Sequence, residues 1–185
     1  MSHRICPWWL GYVSASPVRR LLQKPEDVVT PYVSPGMTVL EPGPGMGFFT
    51  LELARRVGPA GRVIAVDVQP KMVAGLGRRF GKNGFRDRVG VRLASPDSMN
   101  LHDLAGRVDF TLAFAVVHEM PSAERFFGEA SEVSKPGAGL LLVEPAGHVK
   151  DFAFEEELQS VERAGFTVQA RLVTKRSHAA FMKKG

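Results

Sequence analysis

Two short segments contain residues whose types and spacing could support chemistry. EPGPGMG (41–47) holds three glycines at alternate positions, with Glu41 two places before the first. VVHEMP (116–121) places His118 beside Glu119. Because glycine leaves room for another molecule to approach the backbone, the first segment predicts a binding loop. Because an imidazole with an ordinary pKa of about 6.5 can accept a proton near neutral pH, the second predicts a general base.

The glycine loop does not match the two common phosphate-binding motifs. A dinucleotide fingerprint needs G-x-G-x-x-G, but Phe48 or Thr50 stands at the third glycine position in the two registers. A P-loop needs Gly-Lys followed by Ser or Thr, but Gly81-Lys82 is followed by Asn83. We therefore expect a ligand that the loop does not hold by its phosphates.

Strands and helices alternate along the chain, which predicts a mostly parallel sheet with helices on both faces. The link at 174–177 is too short for a crossover, so the last two strands should form a hairpin that adds one antiparallel strand. The predicted strands are 37–40, 62–68, 88–94, 108–117, 139–144, 166–173 and 178–182, and the predicted helices are 48–57, 70–80, 122–134 and 151–164.

The length of 185 residues suits one domain with a substantial core, so 1–185 is predicted to be a single domain. We divide it into an N-terminal arm, 1–34, and a core, 35–185. The arm should form short helices over one sheet edge. Its aromatic cluster is either a lid that excludes water or a plug that packs the arm onto the sheet, and it comprises Trp8, Trp9 and Tyr12 beside Cys6.

Composition narrows the class of protein. Hydrophobic residues make up 44% and charged residues 23%, as in ordinary globular domains, and no apolar run is long enough for a membrane helix. With no secretory signal and one cysteine, we expect a cytoplasmic protein without disulfides, and no metal site. The net charge is +5, but the basic residues are scattered, so nucleic acid is an alternative partner that we do not favour. The oligomeric state stays open, with a homodimer as one option.

Several motifs occur in the order found in one enzyme family. The acidic-x-G-x-G-x-G loop, Asp67 at the end of the second strand, SKPGAG (134–139) and ERAGF (162–166) together resemble class I S-adenosylmethionine-dependent methyltransferases over about residues 37–173. The resemblance implies a Rossmann-like three-layer sandwich. It also implies a seven-stranded sheet in the order 3-2-1-4-5-7-6, with strand 7 antiparallel.

The resemblance also implies S-adenosyl-L-methionine as the cofactor, which needs close backbone approach but no phosphate site. Glu41 would lie near its ammonium group, and Asp67 would accept both ribose hydroxyls. Pro96 has no N–H for the adenine, so Ser95 or Asp97 would make that contact. The expected cofactor-binding residues are Glu41, Gly43, Pro44, Gly45, Gly47, Asp67, Val68, Met72, Ser95, Pro96, Asp97 and Phe114.

The resemblance places the loop after strand 4 at the transferred methyl group. His118, Glu119 and His148 are therefore the candidate catalytic residues, with His118 the preferred base. A packing or cofactor-contact role for His118, and a solvated loop position for His148, are the alternatives. The absence of N-P-P-Y in that loop disfavours methylation of adenine or glutamine amino groups.

The predicted function is methyl transfer from S-adenosylmethionine to an unidentified acceptor, most simply a small molecule. An RNA or protein methyltransferase is one alternative. A non-catalytic module that binds S-adenosylmethionine or S-adenosylhomocysteine is another. The acceptor atom does not follow from the sequence.

Overall fold

A computed structural model describes residues 24–172, 174 and 176–185. The aromatic arm cluster around Cys6, with its predicted lid or plug, lies outside the described residues. Of the predicted arm helices, one is seen, a single short helix at Pro25–Val29 that has proline at its start.

The described elements follow the predicted alternation. The helices are α1 (Pro25–Val29), α2 (Thr50–Val57), α3 (Pro70–Lys82), α4 (Ala123–Val133) and α5 (Asp151–Arg163), and 3-10 turns lie at His102–Leu104 and Val117–Glu119. The strands are β1 (Thr38–Pro42), β2 (Arg62–Asp67), β3 (Val89–Leu93), β4 (Val108–Phe114), β5 (Ser134–Pro145), β6 (Phe166–Leu172) and β7 (Ser177–Lys184).

The seven strands form one sheet in the order β3-β2-β1-β4-β5-β7-β6. β2 pairs in parallel with β1 and β3, and β4 pairs in parallel with β5. β7 runs antiparallel to both β5 and β6. The predicted α/β architecture, the strand order and the antiparallel hairpin are confirmed.

Residues 24–95 belong to one compact unit, which contains β1–β3 and α1–α3. β1 and β2 are short, mostly apolar strands that are buried on both faces, as is common in parallel sheets. Leu40 and Ile64 are buried in neighbouring strands, and α2 and α3 bury Leu53 and Phe80. This unit carries the glycine loop and Asp67.

Residues 96–185 belong to the second unit, which contains β4–β7, α4 and α5. Three consecutive leucines, 140–142, are almost fully buried in β5 because side chains from both faces of this strand enter the core. Helix α4 begins after Ser122, whose hydroxyl accepts a hydrogen bond from the Arg125 N–H at 3.2 Å. This unit carries His118, Glu119 and His148.

Two strand boundaries differ from the prediction by three residues or more. β4 ends at Phe114 rather than at residue 117, because Ala115 adopts φ +53° and breaks the extended backbone. β5 begins at Ser134 rather than at residue 139. Val108 pairs with Ser134 but Phe110 pairs with Gly139, so extra β5 residues form an irregularity in the ladder.

The first predicted helix also starts later than expected. Residues 46–49 form a turn, and α2 begins only at Thr50. The glycine loop is therefore longer than its motif, and its last turn adds two phenylalanines, Phe48 and Phe49, to the buried core. The single-domain prediction remains a prediction. Among the described residues, no helix has the length and apolar composition needed to cross a bilayer.

Candidate active site

Three hydrogen bonds hold the glycine loop within its unit. The Gly43 N–H donates to the Val66 carbonyl of β2 at 2.9 Å, and the Gly47 N–H closes a turn onto the Pro44 carbonyl at 2.9 Å. The Arg79 guanidinium of α3 donates to the Met46 carbonyl. All three glycines have positive φ, which only glycine adopts at low cost. Hydrogen bonds to β2 and α3 thus fix the backbone path of the loop.

Gly45 and Gly47 have different reasons for being glycine. A Cβ on Gly47 would lie 2.7 Å from the Phe80 ring and 3.0 Å from Leu76, so this position is filled by α3. A Cβ on Gly45 would meet no atom within 4 Å. Space for a ligand beside the loop therefore lies at Gly45, and Gly47 serves the packing of the loop against the helix.

Glu41 is a buried carboxyl group with an unsatisfied oxygen. It is only 3% exposed, and burial raises its pKa to about 8, a rise that Thr50 opposes only in part. Among the described residues, its Oε2 atom has no hydrogen-bond partner. A buried acceptor without a partner costs free energy unless a ligand satisfies it, so Glu41 is suited to binding a donor such as an ammonium group.

Asp67 lies at the carboxyl end of β2, as the sequence predicted, and is 8% exposed. Its Oδ1 atom accepts a hydrogen bond from the Gln69 N–H at 2.8 Å, and its carbonyl accepts one from the Ala94 N–H at 2.9 Å. The carboxylate is therefore held in one orientation at the start of α3.

The remaining predicted cofactor contacts lie at strand ends or on α3. After β3, Ser95 is half-buried, whereas Pro96 and Asp97 are exposed in a turn. Ser95 is thus the more recessed of the two adenine candidates. Of three further predicted cofactor contacts, Met72 is buried, and Val68 and Phe114 are half-buried.

In the second unit, His118 forms a pair with Glu144, the penultimate residue of β5. The His118 Nδ1 atom is hydrogen-bonded to Glu144 Oε2, and Glu144 Oε1 accepts the Val117 N–H at 2.7 Å. Glu144 is fully buried, and the His118 side chain is 19% exposed. The hydrogen bond to Glu144 raises the pKa of His118 above its ordinary value against an opposing effect of burial.

Three further ionisable side chains surround this pair. The His148 ring lies edge-on to the His118 ring, with 5.5 Å between centroids, so the structure brings these two candidates together. Negative charge on Glu119 and Glu157 also raises the pKa of His118. Burial and the charge of Glu144 raise the pKa of Glu157 itself to about 8. Within the described residues, no three side chains of the metal-binding types are grouped to hold a metal ion.

Backbone strain places His118 at this position. Ala115 has φ +53°, a conformation that costs a residue with a Cβ about 1–3 kcal/mol, and its N–H donates to the Val143 carbonyl at 2.7 Å. The chain then turns sharply into the 3-10 turn at Val117–Glu119. Such strain is typical of functional segments, where the surrounding structure holds a side chain in a required place.

Sequence reasoning missed Glu144 and Glu157 as members of this cluster. A signal for Glu144 was present, because an acidic residue that directly follows the apolar run LLLV in a buried strand needs a partner. Glu157 gave no comparable signal, since it is one of three consecutive glutamates, 155–157, in a helix.

The glycine loop after β1, the acidic end of β2 and the sheet order occur together in one known family. A family model described as a methyltransferase domain matches residues 33–178. The chain belongs to the S-adenosylmethionine-dependent methyltransferases. The cofactor of this methyltransferase domain is S-adenosylmethionine, as the sequence predicted.

Individual relatives agree with this assignment. A solved S-adenosylmethionine-dependent methyltransferase from Aquifex aeolicus is 28% identical, with a TM-score of 0.86 over 98% of this chain and 100% of that chain. The arsenite methyltransferase of Halobacterium salinarum is 33% identical over 57% of this chain, and ribosomal RNA small subunit methyltransferase A of Moorella thermoacetica is 36% identical over 48%. The matched segment spans 26% of each of these two curated relatives.

The residues of the first unit fit this cofactor. The unsatisfied Glu41 oxygen suits its ammonium group, and the space at Gly45 admits a ligand beside the backbone. The fixed Asp67 carboxylate has the acceptor chemistry that a ribose diol needs. None of these three features depends on a phosphate, which agrees with the absence of the phosphate-binding motifs from the loop.

Proposed function

We propose that this methyltransferase methylates a small molecule at an O–H or N–H group, with His118 as the general base. The observation that carries the proposal is the buried Glu144 bonded to His118 Nδ1. This bond leaves the other ring nitrogen, Nε2, to accept a proton. A base is needed because a hydroxyl or protonated amine is a poor nucleophile until it loses its proton.

His118 meets the requirements for this role. Its side chain is recessed but retains 19% exposure, so a small acceptor group can reach it. Its raised pKa makes the neutral imidazole a stronger base than free histidine. The matched arsenite methyltransferase is named for a small acceptor, which supports the small-molecule part of the proposal but not the choice of an O–H or N–H group.

The proposed cofactor-binding residues orient the cofactor and take no part in proton transfer. We propose that Glu41 holds the ammonium group, Asp67 the ribose hydroxyls, and Ser95 or Asp97 the adenine. When bound, S-adenosylmethionine supplies an electrophilic methyl group on a sulfonium and leaves as the neutral thioether. Holding the two reactants in line can account for up to ~7–11 kcal/mol of the barrier. Glu119 and His148 are proposed to tune the charge and the surroundings of His118.

The acceptor should be found first, by incubating the chain with methyl-labelled cofactor and fractionated metabolite pools. Label in a small-molecule fraction is the expected result. His118→Ala should then lower kcat by about 10²–10⁴-fold, with little change in cofactor affinity.

His102→Ala is the matched control. His102 is also bonded through Nδ1 to a glutamate, Glu132, but this pair is on the surface, with the histidine side chain 75% exposed. It should retain wild-type turnover. Equal loss in cofactor affinity and turnover for His118→Ala would make His118 a cofactor contact or a structural residue, and no loss would exclude it as the base.

RNA is the second candidate acceptor. Exposed basic residues occur at and just after the end of α3: Arg78, Lys82 and Arg86. In addition, one matched relative is named as a ribosomal RNA methyltransferase. RNA recognition through phosphates predicts binding that weakens steeply with salt. Label in RNA, together with that salt dependence, would replace the small-molecule proposal. A chain that binds the cofactor but labels no pool would instead be a binding module.

A further inference from the structure

The partners of Glu144 account for both of its oxygens. Oε1 accepts the Val117 N–H at 2.7 Å, and Oε2 is bonded to His118 Nδ1. The two donors belong to adjacent residues of the 3-10 turn at Val117–Glu119. A single carboxylate therefore holds the backbone of Val117 and the side chain of His118. Because Glu144 is fully buried, water does not compete for these bonds.

We propose that Glu144 is a positioning residue that fixes the tautomer of His118, with the proton on Nδ1 and the lone pair on Nε2. The inference rests on the proposed function for its catalytic meaning. A carboxylate accepts hydrogen bonds and has no proton to donate when ionised, so a ring nitrogen bonded to it must carry the hydrogen. The neutral imidazole then has Nε2 as its basic atom.

The other charged groups around His118 do not have this role. Glu119 follows it in the same turn, and Glu157 lies on α5, but both act on the His118 pKa through charge alone. The His148 ring meets the His118 ring edge-on, which constrains its orientation but not its tautomer. Among the described residues, Glu144 is thus the group that can set which nitrogen is protonated.

The test is a long-range ¹H–¹⁵N NMR spectrum of the histidine rings in the full ¹⁵N-labelled chain, recorded across pH. Above its pKa, wild-type His118 should show a protonated Nδ1 and an unprotonated Nε2. In Glu144→Gln, the neutral amide offers one carbonyl to two donors, so the His118 pKa should fall and the Nε2-protonated tautomer should appear. Both readouts are independent of methyl transfer.

Glu129→Gln is the matched control, because Glu129 Oε2 also accepts a backbone N–H, that of Met99, at 2.7 Å. It should leave the His118 signals unchanged. A wild-type ring with its proton on Nε2 would overturn the inference, and so would an unchanged His118 pKa in Glu144→Gln. If Glu144→Gln does not fold, the wild-type tautomer alone decides.

Turnover separates this inference from the proposed function. Where a carboxylate orients a catalytic imidazole, the amide substitution lowers kcat by as much as ~10⁴-fold. The expected result for Glu144→Gln is a fall of about 10²–10⁴-fold in kcat with the cofactor KM unchanged. If the NMR result holds but kcat does not fall, Glu144 still fixes the tautomer, and His118 is not the base.

Discussion

Two strands of this methyltransferase end in the dipeptide Glu-Pro, and the two glutamates differ in their hydrogen-bond partners. β1 ends Leu40-Glu41-Pro42, and β5 ends Val143-Glu144-Pro145. Both carboxyl groups are buried, at 3% and 0% exposure. Each follows an apolar run at the carboxyl end of a parallel strand, where ligands bind in folds of this type.

The protein itself provides both partners of Glu144, whereas Glu41 keeps one oxygen without a partner among the described residues. The pKa of Glu41 is raised to about 8, so this group is largely protonated at neutral pH without a ligand. An equal position at a strand end therefore does not imply an equal role. A satisfied carboxylate organises the protein, and an unsatisfied one is available to bind.

The same substitution at the two sites should change stability in opposite directions. Glu41→Gln removes a group whose pKa is about 4.5 unfolded and about 8 folded, so the wild type loses stability as pH rises from 4.5 to 8. At pH 7 the variant without cofactor should be more stable by ~3 kcal/mol. Glu144→Gln should be less stable by ~1.5–3 kcal/mol, because hydrogen bonds to a charged acceptor are lost.

Urea unfolding at pH 5, 7 and 8 measures both differences. The gain in Glu41→Gln should grow with pH and fall to about a quarter of its pH 7 value at pH 5. Glu157→Gln is the control, because burial also raises the pKa of Glu157 to about 8, and its effect should have the same sign as that of Glu41→Gln. Two losses of equal size at all pH values would show that the two strand ends do not differ.

Asp67 extends the comparison to a third strand end, that of β2. Asp67→Ala should weaken cofactor binding by about 10- to 150-fold, which corresponds to ~1.5–3 kcal/mol for hydrogen bonds to a charged group. Calorimetric titration with S-adenosylhomocysteine measures the affinity, and thermal melting without ligand measures folding. Unchanged affinity would refute the ribose role. A collapsed melting temperature would make Asp67 structural, since Gln69 depends on it.

Proton release tests whether the free oxygen of Glu41 is filled by the cofactor. An ammonium group beside Glu41 favours the carboxylate, so binding at pH 7 should release up to about one proton. Calorimetry in two buffers with different ionisation enthalpies counts the protons. The release should diminish above pH 8 and disappear in Glu41→Gln. An equal release in that variant would place the titrating group elsewhere.

The smallest expected effect concerns His118, which is half-buried. Its folded pKa is raised, so its contribution to stability is complete below its ordinary pKa and is lost as pH rises through the folded value. His118→Ala should therefore destabilise the chain more at pH 5.5 than at pH 9. Chemical unfolding at the two pH values checks this, and a larger loss at pH 9 would contradict the pairing with Glu144.

The alternation of strands and helices and the glycine loop could be predicted from local sequence, whereas the order of the strands in the sheet was implied by the family resemblance. Apolar runs separated by helices identify the strands, and EPGPGMG signals a loop that requires positive φ. The end of β4 was misplaced because FTLAFAVV is uniformly apolar, so nothing local shows that Ala115 leaves the extended conformation. The early start of β5 depends on Val108 as its partner, which the sequence does not reveal.

The sequence named candidate site residues one by one but not the network that joins them. The chemistry of imidazole marks His118 as a candidate, but its bond to Glu144 joins residues 26 positions apart, one in the turn after β4 and the other at the end of β5. Such a pairing follows from the register of β4 against β5, in which Phe114 lies opposite Val143. Long-range register, rather than composition, thus decides which carboxylate meets which imidazole.

Two of the three glycines of the loop also affect which substitutions this domain can tolerate. A side chain at position 47 would overlap the Phe80 ring. A larger residue there therefore requires a smaller one in α3, and it would also have a strained backbone. Gly45 has open space beside it, and asparagine tolerates its left-handed conformation better than other residues with a Cβ. Position 45 can therefore change by a single substitution at the cost of backbone strain, whereas position 47 can change only together with a second residue in α3.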